Sequence, residues 1–97
     1  MSNRQADLQK LISRGHSAAW DQNWSDAAEY YRQALEMDPE NIKAMTSLGL
    51  ALFEMREYRE SLEQYLRASD VDPDDPLAYE KITLIHERMG NPEQARE

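Results

Sequence analysis

The stretch Gly49-Leu50-Ala51-Leu52-Phe53-Glu54-Met55-Arg56-Glu57-Tyr58-Arg59-Glu60-Ser61-Leu62-Glu63-Gln64-Tyr65-Leu66-Arg67-Ala68-Ser69-Asp70-Val71-Asp72-Pro73 decides the fold, because the chain carries its pattern more than once. Moved back by 34 positions, Gly49 lands on Gly15, Tyr65 on Tyr31, Ala68 on Ala34 and Asp72-Pro73 on Asp38-Pro39. Moved forward by the same step, Met55 lands on Met89, and Ser61, the counterpart of Ala27, lands on Ala95. One offset without gaps is the mark of a chain built from repeated supersecondary units.

Within each period the apolar spacing is helical. Ile42, Met45, Leu48, Gly49 and Leu52 share one face of a 3.6-residue helix. Ala27, Tyr31, Ala34 and Leu35 mark a second face after a break at Asp21-Gln22-Asn23. The pattern predicts helices over 4–21, 25–37, 41–55, 58–70 and 76–90, with the start of a sixth near 92. Ser25 is a candidate cap for the second helix, its hydroxyl accepting an amide hydrogen bond. Pro39 and Pro73 lack an amide donor and close each hairpin. Asp75-Pro76 reads as an acidic cap followed by a proline in the first turn, and Gly90 suits a helix end. Short turns make consecutive helices pack antiparallel.

Composition agrees with an all-α chain. Of 97 residues only 3 are Gly and 4 Pro, while Ala, Leu, Glu, Gln and Arg abound and Val is nearly absent. There is no cysteine, which excludes disulfides, thiolate metal sites and cysteine catalysis and makes a cytoplasmic location the expectation. No apolar run approaches the roughly 18 residues of a membrane span, so no membrane partner is expected. A net charge of −8, from 19 acidic and 11 basic residues, repels phosphate backbones and argues against nucleic-acid binding.

Thirty-four-residue helix–turn–helix units with these residue types resemble the tetratricopeptide repeat. That resemblance implies a right-handed superhelical stack of antiparallel hairpins in a single domain over 1–97: repeat one at 8–41, repeat two at 42–75, and a partial third at 76–97. It pairs Gly15 with Ala27 and Gly49 with Ser61 at close helix approaches. It places Tyr31 and Tyr65 in the wedges between helices, and Ala34 and Ala68 where the next unit packs. Trp24 and Tyr58 match its turn aromatic. The sequence departs from the family at Leu11 and Met45, where a larger aromatic is expected and only Tyr79 supplies one. It departs again at Thr83, which replaces the close-approach glycine. Arg14 stands where later units have Leu48 and Ile82, which suits a face with no neighbour packed on it. The third unit stops at Glu97, as in a piece of a longer protein or a chain whose last helix docks elsewhere.

In such stacks the first helices line a concave wall. The resemblance therefore implies a partner-binding groove lined by Ile12 and His16 from repeat one, and by Lys43, Ser47, Leu50 and Phe53 from repeat two. Repeat three adds Leu77, Lys81, Leu84 and Arg88. Leu50 and Phe53 are the expected central anchors, with Lys43, Lys81 and Arg88 orienting the partner. The acidic excess falls mainly on second helices and loops, leaving the wall mildly apolar and near neutral. Chaperone-binding family members grip a C-terminal carboxylate with Lys, Asn and Arg. The matching places here hold Ile12, His16, Ser47, Leu77 and Lys81, so that clamp is missing.

The expected function is a protein-interaction module holding a peptide or helix of a partner protein. The alternative is self-assembly into a homodimer through the unfinished third unit, at Tyr79, Ile82, Ile85, His86 and Met89. No catalytic pattern, cofactor loop or metal-ligand spacing is present, so neither an enzyme nor a cofactor is expected. His16 and His86 lie 70 positions apart without a third ligand. The acidic run Asp70 to Asp75 lacks the glycine and terminal glutamate of a calcium loop. Trp20 and Trp24 are expected to pack the first turn.

Overall fold

The computed structural model describes residues 3–90, so the expected sixth helix near 92 lies outside the described residues. Five helices follow one another: α1 (Arg4–Trp20), α2 (Trp24–Met37), α3 (Ile42–Glu54), α4 (Tyr58–Val71) and α5 (Pro76–Arg88). Each packs chiefly on its neighbours in the chain, α1 on α2, α2 on α3, α3 on α4 and α4 on α5. The result is an elongated body of 51 × 28 × 17 Å.

The repeat extends to the backbone. Gln22, Arg56 and Gly90, spaced by the same 34 positions, all take the left-handed conformation, with φ of 60°, 63° and 79°. Around each the amides turn back in the same way: Gln22 N–H donates to Ala19, Arg56 N–H to Phe53 and Gly90 N–H to Glu87. Asn23 N–H then reaches Ala18 and Glu57 N–H reaches Leu52, at 2.8 Å in both. This double bond is the Schellman way of satisfying the last carbonyls of a helix. Only the third site uses glycine, for which positive φ carries no steric penalty.

That turn also corrects the expected cap. The left-handed Gln22 brings α2 in at Trp24, with Asn23 as its N-cap, so Ser25 already lies exposed in the first turn. The hairpin-to-hairpin joints follow expectation more closely. Asn41 accepts from Ala44 N–H at 2.9 Å and Asp75 from Leu77 N–H at 3.0 Å, again 34 positions apart.

Packing within each hairpin turns on glycine. A Cβ on Gly15 would strike the Tyr31 ring, and one on Gly49 would sit 2.6 Å from the Tyr65 ring. Each tyrosine therefore occupies space that any side chain on the facing helix would take. Ser61, fully buried, donates to the Gly49 carbonyl at 2.7 Å, which holds α3 and α4 together with no unsatisfied hydroxyl. The core continues through Tyr31, Leu48, Ala51 and Leu52, with Ala27 and Ala28 beneath.

Candidate functional site

Each of the first helices α1, α3 and α5 carries an exposed large apolar side chain, Trp20 (88% exposed), Leu50 (38%) and Leu77 (45%), and α5 adds a second, Tyr79. α1 and α3 diverge around a pocket of about 320 Å³ lined by His16, Trp20, Trp24, Tyr31, Ser47 and Leu50, with Ala19 at its side.

Tyr31 organises the polar part of this pocket. Its ring fills the space over Gly15, and its hydroxyl lies 2.7 Å from His16 Nδ1. Burial pushes the phenol up from its ordinary value, the nearby Ser47 side chain opposing that shift. The phenol thus keeps its proton, and which of the two groups donates in the 2.7 Å contact is set by the tautomer of His16. Burial, reinforced by the nearby Lys43 charge, holds the imidazole below the usual histidine range, so it is neutral and able to accept. A neutral imidazole that accepts at Nδ1 carries its proton on Nε2. The Tyr31 hydroxyl and His16 Nδ1 are thus a hydrogen-bonded pair, with Ser47 beside them in the pocket lining.

Toward the third first-helix, Phe53 is half-buried, its ring edge-on to Tyr58 at 5.4 Å, and the Arg88 guanidinium lies over it at 5.9 Å from the centroid. Arg88 is thus held against the wall rather than standing free. Lys43 is exposed; Lys81 and Leu84 are half-buried.

Three expectations need correction. Ile12 does not face a partner: it is 4% exposed, packed with Leu8 against Ala34 of α2 and Ala44 of α3, at the joint where the second hairpin rests on the first. Ile85 is fully buried and cannot belong to a self-association edge. It lies seven residues from the equally buried Ala78, on the face of α5 that meets α4. The other edge positions divide: Tyr79 is 49% exposed, whereas Ile82, His86 and Met89 are half-buried. Trp20, expected to pack the turn with Trp24, instead projects into solvent, while Trp24 does rest on the core.

The exposure of Trp20 was readable from the repeat. Its counterpart 34 positions on is Glu54, a solvated position, so the unit has no interior place for a side chain there. Nothing in the sequence marked His16 and Ser47 as neighbours of Tyr31, because their counterparts in the second unit are Leu50 and Lys81. Among the described residues no group of three metal-ligating side chains is found, and no helix is long and apolar enough to cross a membrane.

The sequence model of the tetratricopeptide repeat matches residues 21–85. The chain belongs to the tetratricopeptide repeat family. It is 33% identical over 73 residues to the type IV pilus assembly protein PilF of Pseudomonas aeruginosa, covering 73% of this chain and 29% of that protein. It is 29% identical over 76 residues to sperm-associated antigen 1 of Rattus norvegicus, covering 78% of this chain and 8% of that one. The chain thus spans under a third of the length of either relative. Among solved structures, the CopN-Scc3 complex contains a chain that superposes with a TM-score of 0.92 at 22% identity, over 99% of this chain and 55% of that one. The second tetratricopeptide domain of Spaghetti (RPAP3), bound to an HSP90 peptide, superposes at 0.88 and 16% identity, over 99% and 91%. These likenesses establish an all-α tetratricopeptide stack.

Proposed function

We propose that this chain is a protein-interaction module of one domain, with repeats at 8–41 and 42–75 and a partial third at 76–97, that holds a peptide or helix of a partner protein along the α1–α3–α5 wall. The observation that carries the reading is the set Trp20, Leu50 and Leu77, exposed apolar groups present on all three first helices, with Tyr79 a second on α5. Exposed apolar groups spaced along a groove are the features by which helices and extended peptides are gripped. Solved structures of the same fold hold protein partners or peptides, as in the CopN-Scc3 complex and the Spaghetti domain with its HSP90 peptide. The chaperone-tail clamp is not part of the proposal, since the wall offers His16, Ser47 and Leu77 where that clamp needs Lys, Asn or Arg.

Capture of partners on the immobilised chain, run beside Leu50→Glu, tests it. Leu50 is exposed, so the variant folds, and circular dichroism verifies this. A partner retained by the native chain and lost by the variant supports the groove; identical catches sink it.

A second reading, self-assembly, has one observation in its favour. Tyr79 is 49% exposed where its counterpart Met45 is 1% exposed. Light scattering decides it: a monomer at tens of micromolar removes the reading, and a dimer lost in Tyr79→Glu establishes it.

A further inference from the structure

The pocket between α1 and α3 has a chemical bias that the protein as a whole does not share. In a chain with 19 acidic residues, none of the side chains lining it is a carboxylate. The charge that acts on His16 is the positive one of Lys43, and no carboxylate opposes it. The indoles of Trp20 and Trp24 on the pocket lining can only donate. The Lys43 ammonium, a donor and a cation, stands beside the pocket one helical turn before Ser47. Tyr31 and His16 are engaged with one another at 2.7 Å. Between these donors lie the indole of Trp20, 88% exposed, and the Leu50 side chain.

An apolar cleft bounded by donors and one cation is complementary to an apolar group that carries acceptors beside it. We infer that this pocket takes a bulky apolar side chain, phenylalanine or leucine in kind, from an internal stretch of a partner in which the flanking residues are aspartate or glutamate. The apolar side chain enters between Trp20 and Leu50, and a flanking carboxylate meets Lys43. Exposed indoles set in a desolvated rim are the residues on which binding energy concentrates, and charge complementarity selects among apolar ligands that would otherwise bind alike. The inference rests on the groove reading above and specifies which end of the groove carries the selectivity.

The test uses three peptides with both termini blocked, so that a terminal carboxylate plays no part. The first has a single phenylalanine among aspartate and glutamate, the second replaces the acids with lysine, and the third replaces phenylalanine with alanine. Binding is followed by calorimetry and by the emission of Trp20, which moves to shorter wavelength when the indole is covered. The acidic peptide is expected to bind, with both replacements weakening it by about tenfold or more. Trp20→Ala, a change at an exposed site, is expected to cost about thirtyfold. Lys43→Glu is expected to reverse the preference between the acidic and basic peptides.

The inference is overturned if the basic peptide binds as tightly as the acidic one, if none of the three binds, or if only a version with a free C-terminus does. It is also overturned if binding survives Trp20→Ala but fails in Leu77→Glu, since the ligand then sits at the other end. None of these results touches the Leu50→Glu capture experiment, on which the groove reading itself stands or falls.

Discussion

Tyr31 and Tyr65 hold the same post in successive hairpins and live in different surroundings at the hydroxyl. Both rings fill the space over a glycine of the facing helix, and both are 2% exposed. The Tyr31 hydroxyl reaches His16 at 2.7 Å, and Ser47 stands beside them in the pocket lining. The corresponding positions around Tyr65 hold Leu50 and Lys81, and burial alone pushes that phenol up to about 12. The ring belongs to the architecture and is repeated; the polar rim belongs to the groove and is not. A repeat protein can therefore keep its packing constant while each unit presents a different surface.

The largest expected effect tests the constant half of that comparison. Gly15→Ala and Gly49→Ala should each lose about 2 kcal/mol in urea unfolding, because overpacking against a buried ring outweighs the helix propensity that alanine gains. Losses of similar size would show that the two wedges are mechanically alike, and a large disparity would break the comparison.

Removing the hydroxyls sharpens it. Tyr31→Phe strips His16 of its hydrogen-bond partner and should cost about 1 kcal/mol. Tyr65→Phe should cost less, since among the described hydrogen bonds none involves the Tyr65 hydroxyl.

The pH dependence comes next. Burial, with the Lys43 charge, holds His16 below its ordinary value of 6.5 in the folded chain, so between the folded value and 6.5 the unfolded chain binds more protons. Stability is therefore full above that range and falls as the pH drops through it. Unfolding curves at stepped pH should show this decline, and His16→Leu, which installs the residue of the second unit, should flatten it. A His16 resonance that titrates above 6.5 would contradict the burial of that imidazole beside Lys43.

The smallest effect concerns the turns. Gln22→Gly and Arg56→Gly should each gain about 0.5 kcal/mol, the relief of left-handed strain slightly exceeding the extra chain entropy of glycine. Calorimetry on the two variants should show matching rises in Tm.

Much of this was legible in the sequence, for a definite reason. A constraint felt in every unit leaves its mark at a fixed interval, so Gly15 and Gly49, Tyr31 and Tyr65, and Asp38-Pro39 and Asp72-Pro73 announced the hairpins. Five helices appear where the period placed them, with ends shifted by up to two residues. The groove was harder, because its residues differ from unit to unit by nature. Ile12 looked like a groove residue from its place in the first helix, yet it is claimed by the joint with the second hairpin, a contact that depends on how units stack. Trp20 was misjudged by its chemistry: a large apolar side chain suggests an interior, whereas its counterpart Glu54 already indicated solvent.

Asn41 and Asp75 cap successive first helices from the same extended backbone conformation, one complete unit apart, Asn41 accepting from the third amide after it and Asp75 from the second. A segment copied between them would arrive with its own entrance already built and would offer the following unit the same entrance again. Growth by duplication thus requires no new junction to be invented, and the groove can lengthen one helix at a time while only its lining is left to selection.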